Sequence, residues 1–155
     1  QRSSVGLISN VIDKQASGAT TNFNVPLNFV DETAKIGGSS ASKHLTREVV
    51  LEEAAVGLKI LIDANRPTST DFQVFVRTCD IDESIVEKDF VLVPQEAEIT
   101  ADDNPNIFRQ YDYLFGGLGG DVLDFKKYQV KIVLRSTNQA FSPVLDNLRV
   151  IALSV

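Results

Sequence analysis

Between Tyr128 and Leu134 the chain sets Tyr128, Val130, Ile132 and Leu134 against Gln129, Lys131 and Val133, the period of two that an extended strand with one inward face requires. The same pattern recurs along the chain. Leu58, Ile60 and Ile62 alternate with Lys59, Leu61 and Asp63 until Asn65-Arg66-Pro67 stops the run. Phe72, Val74 and Val76 alternate with Gln73, Phe75 and Arg77, preceded by the turn cluster Thr68-Ser69-Thr70-Asp71. Further strands are predicted over Leu45–Leu51, Phe90–Val93, Ile107–Phe115 and Leu148–Val155. The last is apolar on both faces and therefore reads as a central strand. The one helical candidate, Ile81–Lys88, is about two turns long. Short strands at even spacing, with no helix long enough for a parallel crossover, predict antiparallel sheets packed face to face: an all-β, jelly-roll-like sandwich.

Residues 1–42 differ from this and are read as an N-terminal arm or linker ahead of a sandwich spanning 43–155. The arm is rich in Ser, Thr, Asn, Gly and Ala, and its apolar stretches are short. Within it Phe23, Val25, Leu27 and Phe29 alternate with Asn24, Pro26 and Asn28, the pattern of one strand with a single apolar face. Pro26 has no amide proton to donate, which places such a strand at a sheet edge or against a partner. Gly37-Gly38-Ser39-Ser40-Ala41-Ser42 reads as a flexible joint.

A net charge of -6 with scattered Lys and Arg disfavours a nucleic-acid groove or an anionic membrane surface, and no apolar run approaches a membrane span. The single Cys79 excludes an internal disulfide and leaves no ligand set for a structural zinc, so stability must come from packing. A chain that begins at Gln1 and contains no methionine is expected to be a piece of a longer polypeptide.

Chemistry is thinly represented. His44 is the only histidine, so any imidazole catalysis would rest on it alone, and it is read as a strand-start residue. Cys79 is read as a small buried side chain rather than a nucleophile. The stretch Asp80–Asp103 holds nine acidic residues and one lysine. Its sub-clusters at Asp80-Ile81-Asp82-Glu83 and Asp102-Asp103-Asn104 carry the oxygens that calcium takes, without the spacing of the twelve-residue calcium loop, and are read as solvated loops. Tyr111 and Tyr113 share one strand face, a small platform for a sugar ring or, as for most strand aromatics, a packing surface. Gly116–Gly120 lacks the lysine of a phosphate loop and is read as a turn. No catalytic, cofactor-binding or metal-ligating residue is assigned.

The run Ala41-Ser42-Lys43-His44-Leu45-Thr46-Arg47, then Val49 and Leu51, then Leu58 to Pro67, resembles a repeated domain of virion structural and baseplate wedge proteins of large contractile-tailed phages. Ser69 to Arg77, Tyr128 to Leu134 and Pro143 to Leu153 continue the likeness, which leaves the first 42 residues unmatched. The chain departs from that pattern at Phe75 and Val76, where the family carries paired tyrosines. The resemblance implies a non-catalytic protein-protein interaction module of the virion tail or baseplate, assembled in the host cytoplasm in many copies among other virion structural proteins. It supplies no catalytic residues. In that setting the arm set Phe23, Val25, Leu27 and Phe29 is expected to bind a partner by adding to a sheet edge. The alternative is a carbohydrate-binding module of a receptor-binding or glycosidase-associated protein, using the loop near Asp102–Asn104 and the Tyr111/Tyr113 face.

Overall fold

A computed structural model describes residues 31–40, 42–116, 124–137 and 141–154. The set Phe23, Val25, Leu27 and Phe29 lies outside the described residues. Among the described residues eight strands run in chain order: β1 Lys43–Leu45, β2 Val49–Ala55, β3 Gly57–Asn65, β4 Thr70–Cys79, β5 Val91–Val93, β6 Arg109–Gly116, β7 Phe125–Ser136 and β8 Val144–Leu153. One sheet has the order β1-β7-β4-β5, with β2 following β1 along the same edge of β7, and the other has the order β6-β3-β8. Every pairing among the described residues is antiparallel. The fold is an all-β sandwich, as the alternation predicts.

The hydrogen-bonded pairs are nested. β4 pairs β5, β3 pairs β6 and β2 pairs β7, as in a long hairpin rolled into two facing sheets, the jelly-roll arrangement. A further pair, β1 with β8, would complete the nest, but β1 continues along β7 instead, with Lys43 opposite Val133. Among the described residues β8 is therefore an edge strand paired only with β3, which corrects the reading of Leu148–Val155 as central. The apolar residue Ile151 on its outward face is 49% exposed.

The core forms between the inward sets that the alternation marks: Leu58, Ile60 and Ile62 of β3, Phe72, Val74 and Val76 of β4, and Tyr128, Val130, Ile132 and Leu134 of β7. Thr46 splits the predicted Leu45–Leu51 strand in two. Its hydroxyl accepts the Val130 N–H at 2.9 Å, substituting a side-chain oxygen for the ladder carbonyl, and this local bond lets the backbone leave the sheet for three residues. The helical candidate reduces to one 3-10 turn, Ile85–Glu87, in a loop that folds back over the five-stranded sheet and buries Ile85 and Phe90.

Candidate functional site

Strand pairing aligns a second row of side chains on the outer face of the five-stranded sheet: Gln73, Phe75 and Arg77 of β4 lie opposite Val133, Lys131 and Gln129 of β7. These alternate with the core set, so on a two-layer sandwich they belong to solvent. All but the half-buried Gln73 are buried instead. Lys131 is 1% exposed, and Phe75, Arg77, Gln129 and Val133 are buried with it. The cover is the segment of residues 31–40, acting as a strap, together with the loop that carries Phe90.

Lys131 holds the strap. Its ammonium donates to the Glu32 carboxylate at 3.0 Å, the Glu32 carbonyl at 2.5 Å and the Gly37 carbonyl at 3.1 Å, three acceptors for three N–H donors. The same ammonium stands 4.2 Å from the centre of the Phe90 ring and 5.0 Å from that of Phe75, so aromatic faces supply the rest of its surroundings. Glu32 accepts the Ser40 N–H at 2.8 Å and stands 3.7 Å from the Lys43 ammonium, which donates to the carbonyls of Gly37 and Gly38. Gly38 sits at φ +79°, and a Cβ there would come within 2.2 Å of the Glu32 carboxylate. Glycine is needed twice over, for the backbone and for the space. Burial draws the Lys131 ammonium below the usual lysine range, and the hydrogen bond it donates to Glu32 opposes this.

Beside this clamp Arg77 donates to the Gln129 side-chain oxygen through Nε at 2.8 Å and Nη2 at 2.6 Å, and to the Lys35 carbonyl at 3.2 Å, with Phe90 stacked 4.4 Å above its guanidinium. Gln129 passes the chain of bonds on to the Thr46 carbonyl at 2.8 Å. The predicted flexible joint is thus tied down: Gly38 serves close approach, Gly37 a φ of +103°, and the Ser42 carbonyl accepts the Leu134 N–H at 3.1 Å. Where Asp31 meets Leu92, a shallow cleft of about 260 Å³ opens between Phe75, Gln73 and Arg135. Thr33 N–H and hydroxyl bonds hold the Asp31 carboxyl below the usual range at its rim.

The residues singled out for chemistry are not brought together. His44 pairs with Ile132 and Cys79 with Lys127, five residues apart on β7, which is roughly 17 Å along a strand. Burial pushes the Cys79 thiol up, away from the thiolate. Tyr111 and Tyr113 are 2% and 3% exposed, and Tyr111 meets Phe72 edge to face at 5.0 Å, so the suggested sugar platform faces the core. The Asp102 loop spends its oxygens on itself and its neighbours. Asp102 takes the Asn104 N–H and an Arg109 guanidinium, Asp103 takes the Thr68 N–H, and buried Asn65 donates to the Asn104 and Ile107 carbonyls. Among the described residues no group of three or more His, Cys, Asp or Glu is placed to hold a metal ion.

The clamp residues Glu32, Gly38, Lys43, Arg77, Gln129 and Lys131 are absent from the sequence-level candidates. One signal points to them: Phe75 and Val133 are apolar at outward positions, which a solvated face has no use for. Comparison with protein-family models, with curated proteins and with solved structures finds no match to this chain.

Proposed function

We propose that this domain is a non-catalytic structural module that presents an N-terminal arm to other proteins of a phage tail or baseplate. The observation that carries the reading is the buried clamp between Lys131 and Glu32. A buried ion pair repays its desolvation only when geometry and hydrogen bonding are complete, so it is a poor choice for stability alone and a good one for fixing position. Here it fixes Glu32 on the outer face of the sheet, next in the chain to the proposed arm. A sandwich without disulfides whose core is closed by aliphatic and aromatic packing gives that anchor a firm base. The virion setting rests on the resemblance of residues 43–155 to baseplate proteins. It is tested by immunogold labelling of purified tailed particles with an antibody to this domain. Label confined to the tail is expected. Particles that stay unlabelled both intact and after tail disassembly would overturn the setting.

A further inference from the structure

Among the described residues the sandwich is left open along one side. β5 leads into β6 on the other side, where Gln95 bridges Tyr113, so β2 and β8 form the facing edges here. Leu58, Ile60 and Ile62 of β3 are all 0% exposed, yet their partners on β8, Ala152, Val150 and Leu148, are exposed or only half-buried although they face the same core. Val49 and Leu51 of β2 are likewise only partly covered. The uncovered core margin therefore coincides with the position beside β8 that the nested pairing leaves vacant among the described residues. β8 offers ten residues without a proline, a long edge of the kind that accepts another strand.

The chain contains a segment with matching chemistry. Phe23, Val25, Leu27 and Phe29 supply one apolar face, and Pro26 sits on the alternate positions. The Leu153 carbonyl accepts the Val56 N–H from the β3 side, which turns the N–H and C=O groups of the alternate residues Ala152, Val150 and Leu148 to the open edge. In an antiparallel addition, opposed residues share a face and exchange their bonds. The inward-facing Val25 and Leu27 then bond β8, while Pro26 points away, where its missing N–H costs nothing. A strand that includes Phe29 cannot do this within its own molecule. Phe29 is two residues from Asp31, a reach of at most ~7 Å, and Asp31 is held on the outer face of the opposite sheet, with more than ~10 Å of sandwich in between.

We propose that β8 is completed by a second copy of the chain, whose Phe23–Phe29 segment adds antiparallel to the open edge and covers Leu148, Val150, Val49 and Leu51. This deepens the interaction-module reading by naming the partner and both surfaces, and it rests on that reading only in taking the arm to be a binding element. Donor and acceptor surfaces differ, so two copies close the exchange if it is reciprocal and a ring or filament forms if it is not.

The test places proline by parity in the full chain. Val25→Pro and Leu27→Pro remove N–H groups aimed at β8, whereas Asn24→Pro and Asn28→Pro remove N–H groups aimed away from it. Sedimentation over a range of concentrations is read together with amide exchange on β8. The unaltered chain is expected to self-associate with β8 protected. The first pair of variants should sediment as monomers and lose at least tenfold in β8 protection, with circular dichroism unchanged, and the second pair should behave as the parent. A chain that is monomeric at every concentration overturns the proposal, whether β8 is protected or not, as does equal behaviour of the two pairs. A monomeric chain that still labels phage tails would sink this inference and leave the proposed function standing.

Discussion

Lys131 is a lysine at the centre of a sheet, and its place there depends on one carboxylate. Removing Glu32 leaves the ammonium with two backbone carbonyls and two aromatic faces but no counter-charge, the situation in which a buried pair becomes a liability. Glu32→Ala is expected to lower stability by about 3 kcal/mol in urea denaturation, while the double variant Glu32→Ala/Lys131→Met recovers most of that loss because no charge is left buried. If the single and double variants unfold at the same urea concentration, the pair is not what holds the strap. Gly38 offers an independent probe of the same contact. Gly38→Ala forces a side chain into a left-handed conformation and against Glu32, and should cost more than ~1 kcal/mol. Amide exchange of residues 31–40 should accelerate in this variant while that of β3 does not.

β3 shows why much of this fold was legible in advance. Its alternation of Leu58, Ile60 and Ile62 with Lys59 and Asp63 states which face is inside, although Leu61, on the outward face, is apolar and buried as well. Ile60→Ala should cost about 2–5 kcal/mol, and Ile151→Thr, on the exposed face of β8, should stay within about 0.5 kcal/mol; chemical denaturation of each variant decides. β8 shows the limit. Two apolar faces describe either a central strand or an edge strand that lacks a neighbour, and local sequence does not separate the two. The clamp was hidden for a related reason. Gly37 to Ser42 has the composition of a linker, and nothing within it announces Lys131, which lies about ninety residues away along the chain and meets it only after β1 has paired with β7. Lys131 itself sits at an outward position, where lysine is ordinary.

At the scale of the whole molecule all three tyrosines are buried, and this governs how the sandwich responds to alkali. Burial raises the pKa of Tyr113 strongly, helped by the nearby Asp71 carboxylate, and burial alone raises that of Tyr128. Below pH ~10 the folded and unfolded chains both hold these protons, and the stability they contribute is fully present. Above it the unfolded chain releases protons that the folded chain keeps, so stability falls as pH rises. Lys131 acts in the opposite sense. Its folded ionisation is lowered, so the cost of its buried charge is present at neutral pH and fades as pH rises towards the ordinary lysine range. One lysine partly compensated by Glu32 opposes two phenols with little compensation, so the tyrosines prevail above pH ~10. Stability should hold up to about that pH and then drop, with the tyrosinate absorbance appearing in the same cooperative step as the loss of β circular dichroism. Tyr113→Phe should move that step to higher pH. Titration of Tyr113 and Tyr128 near pH 10 while the circular dichroism stays intact would show that solvent reaches the interior between the sheets.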